Sequence, residues 1–284
     1  MKLILGTAQF GLDYGINNRS GQPDVERVFK MLELAAAGGI EILDTADAYG
    51  NAAELLGEFN KTQQYPFKIN TKFKAGREPI GKQLVRAFEK LCVQVVNTYF
   101  FHSFGDFKKF PELLKKLMFF KQKGVINKTG VSVYGNDEFE MAINTPDVDV
   151  IQFPFNLLDN RFQREKLMTL AKEKGKELQV RSVFLQGLFF MPITDIPVNL
   201  TPLKPYLEQI KALARENNLE MERLALMYAL SQPEIDHVII GVDNPEQLHK
   251  NLKAAQQVLD ASILEKINQM AVKETELLYP KNWS

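Results

Sequence analysis

Cysteine, histidine and any excess of charge are scarce in this sequence of 284 residues. The one cysteine, Cys92, excludes an intramolecular disulfide, and its helical surroundings predict a small buried side chain rather than a reactive thiol. The three histidines, His102, His237 and His249, lie far apart, and no pair has metal-ligand spacing. We therefore predict that the protein holds no metal ion.

Neither charge nor hydropathy points to nucleic acid or to a membrane. Lys and Arg together number 35, as do Asp and Glu, so there is no basic surplus for a phosphate backbone. No apolar run approaches the roughly 20 residues of a membrane helix. Residues 1–7 run straight into a short apolar strand and lack the charged start of a signal peptide. We expect a cytoplasmic monomer or small homo-oligomer that acts on a small molecule.

Short apolar runs alternate with longer amphipathic runs along the chain. The apolar runs are continuous, which is typical of parallel strands buried on both faces. The predicted strands cover residues 3–7, 40–45, 67–73, 96–102, 128–133, 148–153, 178–183 and 237–242. The predicted helices cover residues 25–37, 53–59, 79–93, 110–123, 137–144, 163–174, 202–231 and 245–255, and a last helix covers 261–277.

This alternation predicts an α/β fold, a (β/α)8 TIM barrel, and the length suits one domain over residues 1–284. The competing fold is a doubly wound open sheet that binds a dinucleotide. Its G-x-G-x-x-G signature is absent, because Gly6, Gly11 and Gly15 have the wrong spacing. Residues 189–203 hold three prolines and predict a long loop after the seventh strand, either an inert surface loop or a clamp over the site.

Polar residues at the predicted strand ends indicate the site, since a barrel builds its site on the loops after its strands. Asp44 and Tyr49 follow the second strand, Lys72 lies in the third and His102 ends the fourth. An ammonium group beside a tyrosine lowers the pKa of the phenol from about 10. Asp44 could hold Lys72 in place and His102 could orient a carbonyl, so that Tyr49 gives the carbonyl oxygen a proton.

Each of these residues also has a structural interpretation. Asp44 could cap a turn, Lys72 could form a structural salt bridge, and His102 could be a hydrogen-bonded core histidine. Their positions at successive strand ends favour the catalytic interpretation.

The same residues resemble the aldo-keto reductase family. The segment Asp44-Thr45-Ala46-x-x-Tyr49-Gly50 is similar to the family's signature after strand two, and Lys72 and His102 fall where the family completes its tetrad. The resemblance implies that Tyr49 is a general acid assisted by Asp44, Lys72 and His102. It extends over nearly the whole chain, through the segments at 5–11, 152–156, 186–188 and 240–251.

The resemblance also implies a nicotinamide cofactor, NADPH or NADH, bound without a Rossmann fold. Ser132 and Gln152 would hold the carboxamide, and Gly187 and Leu188 would contact the pyrophosphate. The residues implied around the adenosine end are Gly241, Asp243, Gln247 and Asn251.

Two residues depart from the family pattern. Arg181 stands where many members stack an aromatic ring on the nicotinamide. Its guanidinium could stack in the same way, attract an anionic substrate group or form an ion pair in the rim. Asp243 stands where members that bind NADPH usually carry a basic residue, and it would repel a 2′-phosphate unless Lys250 or Lys253 compensates.

The substrate is expected to be an aldehyde, a ketone or a sugar carbonyl, reduced to an alcohol, or the alcohol in the reverse direction. Candidate walls of its pocket are Tyr14, Phe104, Tyr134 and Trp283. Two alternatives stay open. One is a nicotinamide-binding regulatory subunit with little turnover, and the other is a lyase or aldolase that uses Lys72 as a Schiff-base amine.

Overall fold

Eight parallel strands form the centre of the computed structural model, which describes residues 1–16, 18, 21–62, 67–76 and 78–283. Each strand pairs with the next, and β1 also pairs with β8, so the sheet closes into a barrel. The strands are β1 Leu3–Gly6, β2 Ile42–Asp44, β3 Lys68–Phe73, β4 Val96–Phe101, β5 Ile126–Ser132, β6 Val150–Pro154, β7 Glu177–Arg181 and β8 His237–Ile240. The predicted (β/α)8 barrel is confirmed.

Helices surround the barrel and cover the outer faces of its strands. They are α1 Ala8–Gly11, α2 Val25–Ala37, α3 Ala52–Thr62, α4 Ile80–Leu91, α5 Phe104–Lys109, α6 Glu112–Gln122, α7 Asn136–Ile143, α8 Arg161–Glu173, α9 Lys204–Glu216, α10 Met221–Leu230, α11 Pro245–Ala254 and α12 Ala261–Asn268. The short helices α1 and α5 lie in loops after strands and were not predicted. None of the described helices is long and apolar enough to cross a membrane.

Most residues of the strands are buried because both faces of the strands are covered. In β6, for example, Val150, Ile151 and Phe153 are all fully buried. Their outward side chains pack under the helices, and their inward side chains fill the barrel. The strands leave these covered layers only at the two rims of the barrel. The rim at the carboxyl ends of the strands carries the polar residues that line a cavity.

Two of the predicted helices are wrong at their boundaries. The helix predicted over 202–231 is two helices, α9 and α10, and the chain turns between them at Asn218, whose φ of +51° cannot continue a right-handed helix. The last predicted helix ends at Asn268 instead of residue 277. The side chain of Asn160 donates to the carbonyls of Ile267 and Met270, which occupies acceptors that a longer helix would use itself.

The loop predicted over 189–203 consists largely of three short 3-10 helices, Leu185–Phe190, Ile193–Asp195 and Val198–Leu203. The prediction for Cys92 is wrong, because this residue is exposed. It ends α4 in a left-handed conformation with a φ of +53°, at a position where the chain leaves the helix. Sequence periodicity continued the helix past this point and so placed the thiol on its buried face.

Candidate active site

A cavity of about 570 Å³ opens at the carboxyl ends of the barrel strands. Asp44, Tyr49, Lys72 and His102 all line it. They come from the ends of β2, β3 and β4 and from the loop after β2. The parallel order of these strands brings together four residues that are separated by up to 58 positions in sequence.

Asp44 and Lys72 form a buried ion pair at the floor of this cavity. The Lys72 ammonium donates to Asp44 Oδ1 and, at 3.2 Å, to the carbonyl of Thr45. The other carboxylate oxygen, Oδ2, accepts from Gln152 Nε2 at 2.9 Å. Burial is the largest single influence and lowers the pKa of Lys72, but the charge of Asp44, the neighbouring Tyr49 and the hydrogen bond to Asp44 together raise that pKa above its usual value. Lys72 is therefore a fixed cation at neutral pH.

Tyr49 lies over this ion pair, in the loop between β2 and α3. Its ring centroid is 5.3 Å from the Lys72 ammonium. Burial raises the pKa of the Tyr49 phenol, and Lys72 offsets only part of this rise. Lys72 lowers the pKa of Tyr49, as the sequence predicts. The pKa is nevertheless raised overall, which is opposite to the sequence prediction. The phenol keeps its proton at neutral pH and has a cation nearby to stabilise the phenolate once the proton leaves.

His102 completes the cluster on the β4 side. Its ring meets that of Tyr49 edge to face, with centroids 6.0 Å apart. Burial, together with the cations Lys72 and Arg181, lowers the pKa of His102 from 6.5 to about 4. The imidazole is neutral at pH 7, so it can donate one hydrogen bond to a carbonyl oxygen without protonating it.

Further polar groups in the cavity lining fit a dinucleotide. Ser132 and Gln152 are neighbours across β5 and β6, and no hydrogen-bond partner of Ser132 Oγ is found in the described parts of the chain. Asp243 Oδ1 is buried without a partner among the same residues, although Gln247 bonds both the amide and the other carboxylate oxygen of Asp243. A buried carboxylate oxygen needs a donor, and a ribose hydroxyl supplies one.

Helix α11 begins beside these polar groups. Asn244 caps it by accepting from the amide of Gln247 at 2.9 Å, as Pro245 at its first position suggests. Asn251 lies one turn further on and also lines the cavity. A Cβ at Gly241 would meet the side-chain amide of Gln9, which would have to move away. Gly187, whose φ is +92°, borders the cavity from the loop after β7.

Arg181, at the end of β7, lies over the ring of Tyr134, with its guanidinium carbon 4.2 Å from the ring centroid. It donates to the carbonyl of Val133 at 3.2 Å and to Ser182 Oγ at 3.5 Å. It forms no ion pair with a described carboxylate, so it is not part of a salt bridge in the rim. Both Arg181 and Tyr134 line the cavity, and so does Tyr14.

Three predicted residues do not line the cavity. Leu188 is fully buried in the core. Phe104 packs against Phe107, with ring centroids 5.7 Å apart. Trp283 donates its indole N–H to the carbonyl of Leu277. Each of these side chains packs in the core, against a neighbouring ring, or hydrogen-bonds within its own segment. The periodicity of the sequence does not reveal these contacts.

Several cavity residues were missed at the sequence level. They are Gln9, Gln186, Glu222 and Lys281. Lys281 comes from the segment after α12, and no local pattern indicates that this segment returns to the rim. Gln186 could have been suspected from the neighbouring Gly187, because it belongs to the same left-handed turn with a φ of +54°. Among the described residues, no three His, Cys, Asp or Glu side chains gather as metal ligands would.

Comparison with known proteins agrees with this geometry. The family model described as the aldo/keto reductase family matches residues 2–272. The chain belongs to the aldo/keto reductase family. This assignment makes it a member of an oxidoreductase family, as the residues at its strand ends imply.

Named relatives of this aldo/keto reductase are distant in sequence. An NADH-specific methylglyoxal reductase of Escherichia coli is 24% identical in an alignment that covers 76% of this chain and 78% of the relative. A D-arabinose 1-dehydrogenase of Saccharomyces cerevisiae is 25% identical in an alignment that covers 87% of this chain and 80% of the relative. The holo form of an aldo-keto reductase from Bacillus halodurans has a TM-score of 0.77 at 21% identity, covering 96% of this chain and 94% of that one. The structural likeness shows the shared fold.

Proposed function

We propose that this protein reduces an aldehyde, a ketone or a sugar carbonyl to an alcohol, or catalyses the reverse reaction, with NADH or NADPH. One observation carries the proposal: a protonated Tyr49 lies between a buried Lys72–Asp44 pair and a neutral His102 at the floor of an open cavity. Family membership supports it, as do the names of the two relatives, which specify a reductase and a sugar dehydrogenase.

In the proposed reaction the side chains of the site transfer one proton to the carbonyl oxygen. His102 donates an N–H to the carbonyl oxygen and orients it toward Tyr49. Tyr49 gives its phenolic proton to that oxygen as negative charge develops there, and the Lys72 ammonium stabilises the resulting phenolate. Asp44 keeps Lys72 charged and in place, and Gln152 fixes the second oxygen of Asp44.

A nicotinamide cofactor supplies the hydride in reduction when it is bound, and accepts it in the reverse reaction. Ser132 and Gln152 would hold its carboxamide, and Gly187 would border its pyrophosphate. The residues proposed for the adenosine end are Gly241, Asp243, Gln247 and Asn251, with Lys250 beside them on the cavity wall.

A Schiff-base mechanism at Lys72 is disfavoured by the same geometry. A nucleophilic amine must be deprotonated, but Asp44 raises the pKa of Lys72 and holds the ammonium in an ion pair. The nitrogen is also turned toward the carboxylate and the carbonyl of Thr45. It is better placed to stabilise a charge than to attack a carbonyl.

Replacing one hydroxyl tests the proposal. Tyr49→Phe removes the proton donor and leaves the ring, so we expect turnover of a competent aldehyde to fall by about 10²–10⁴-fold. The Kd of NADH and NADPH, measured by fluorescence titration, should change little. Tyr206→Phe makes the same chemical change on α9, away from the cavity, and serves as the matched control. Unchanged turnover in the Tyr49 variant would show that Tyr49 is not the proton donor. Cofactor binding by the wild type without turnover of any carbonyl would favour a regulatory subunit.

A further inference from the structure

Two cations stand at the catalytic end of the cavity without a carboxylate partner among the described residues. Arg181 ends β7, and Lys281 comes from the segment that follows α12. Both lie against the ring of Tyr134, with the guanidinium carbon 4.2 Å and the ammonium nitrogen 4.3 Å from its centroid. The hydrogen bonds of Arg181 go to two neutral acceptors, a carbonyl and a hydroxyl.

The other charged groups around this end are the Glu138 carboxylate, which accepts from the amide of Tyr134 at 2.6 Å, the Lys74 cation, whose charge acts on His102, and two ion pairs. Lys72 is neutralised by Asp44. Asp159 is close enough to Arg181 to be influenced by its charge, but both oxygens of Asp159 accept from the buried Arg164 at 2.7 Å. The neutral His102 adds no charge.

Two acidic residues also line the cavity, but neither forms an ion pair with Arg181 or Lys281. Glu222 lies in α10 and Asp243 precedes α11. Arg181 and Lys281 therefore contribute to the lining of the cavity two positive charges that no described carboxylate neutralises in an ion pair, and both would attract an anion there.

The fold places Lys281 there through fixed contacts. Tyr279, two residues earlier, meets the ring of Tyr134 edge to face at 5.6 Å. Arg164 donates to the carbonyl of Tyr134 at 2.7 Å and so holds the loop after β5 in place. The C-terminal segment thus packs on a fixed Tyr134 through Tyr279, so the ammonium of Lys281 meets the cavity at a defined place.

We propose that the carbonyl substrate carries an anionic group, a carboxylate or a phosphate, which Arg181 and Lys281 bind while its carbonyl oxygen meets Tyr49 and His102. This inference rests on the proposed function and specifies its substrate class. A guanidinium presents two parallel N–H groups to such an anion, and an ammonium adds a point charge. Arg181, Tyr49 and His102 line the same cavity, so an anion bound to Arg181 would share that space with the reacting group.

Matched pairs of substrates test the inference. 4-Oxobutanoate is compared with butanal, and glyceraldehyde 3-phosphate with glyceraldehyde, so that the two pairs separate carboxylate from phosphate. We expect kcat/KM to favour the anionic member of at least one pair by roughly tenfold or more. Lys281→Gln and Arg181→Gln should each reduce that ratio severalfold. Lys266→Gln removes an exposed lysine of α12 and is the matched control for net charge.

The outcomes separate this inference from the function on which it rests. If carbonyls are turned over but the ratio is near one, or is the same in the variants, the anion site is wrong and the reductase stands. If both members of a pair lose activity equally while the Kd of NADH rises, the cations serve the cofactor, which also overturns the inference. If no carbonyl is turned over, calorimetric titration with succinate decides: binding that Lys281→Gln abolishes supports the anion site, and no binding by the wild type refutes it.

Discussion

His102 lies beside two cations, and this position makes its protonation costly in the folded protein. Its pKa is lowered from 6.5 to about 4, so between these values the unfolded chain binds a proton that the folded chain does not. The unfolding free energy therefore falls as the pH drops through this window, and the loss is complete only below about pH 4.

Comparison with a variant isolates this effect from other titrating groups. The advantage of the wild type over His102→Gln should shrink by about 2 kcal/mol between pH 7.5 and pH 5. Urea denaturation at several pH values measures it. A constant difference between the two proteins would show that His102 titrates normally.

Asp243 bears on the choice between NADH and NADPH. Its carboxylate has one buried oxygen without a described partner, and burial raises its pKa. A ribose hydroxyl would satisfy that oxygen, whereas a 2′-phosphate would be repelled by it. We expect NADH to bind more tightly than NADPH, and Asp243→Ser to narrow the difference. Fluorescence titration of both cofactors measures it, and tighter binding of NADPH by the wild type would contradict this role for Asp243.

The catalytic cluster could be predicted from sequence because all four residues sit at or just after the ends of consecutive strands. Strand order alone then brings them together. The direction of the Tyr49 pKa could not be predicted, because it depends on how deeply the phenol is buried. Lys281 was missed for a similar reason: its approach to Tyr134 depends on the path of the C-terminal segment, which packs on Tyr134 through Tyr279 although the two tyrosines are remote in sequence.

At the level of elements, the loop that carries Tyr49 is fixed by a close approach of two backbones. Gly50, with a φ of +55°, packs so tightly against α1 that a Cβ would collide with the carbonyl oxygen of Gly11. A Cβ at Gly11 would in turn collide with the carbonyl of Tyr49. The unpredicted helix α1 therefore positions the proposed proton donor.

Paired glycine substitutions test this role. Gly39 is also left-handed, at a φ of +80°, but has open space around its Cβ position. We expect Gly39→Ala to cost about 1 kcal/mol of stability and to leave turnover unchanged. Gly50→Ala should cost more and should lower kcat, because the collision displaces Tyr49. Denaturation and steady-state kinetics compare the two, and equal kinetics in both variants would mean that the loop adapts.

The helix boundaries that sequence missed are set by tertiary contacts. Periodicity continued the last helix beyond Asn268, but Asn160, more than a hundred residues earlier, takes the carbonyls at its end. The existence of the main strands and helices followed from hydrophobic pattern, since the barrel buries each strand on both faces. The ends of helices depend on partners that a local pattern does not contain.

For the whole molecule, the proposed function predicts that cofactor and fold are thermodynamically linked. A cofactor that binds only the folded barrel should raise the unfolding free energy by about 2.7 kcal/mol at 100 times its Kd. The melting temperature should then rise by about 5 °C. Differential scanning fluorimetry with NADH, NADPH and, as a control, adenine measures this. The absence of a shift with either dinucleotide would count against nicotinamide binding, whatever the activity assays give.

Trp283 is the only tryptophan of the sequence, and it lies two residues beyond Lys281 in the segment that borders the cavity. Its indole is held by the carbonyl of Leu277, and its own carbonyl accepts from Asn199. The tryptophan emission of the protein therefore originates in the segment that carries the proposed anion site. A red shift of that emission would signal detachment of the C-terminal segment while the barrel stays folded, so the molecule carries its own optical reporter next to Lys281.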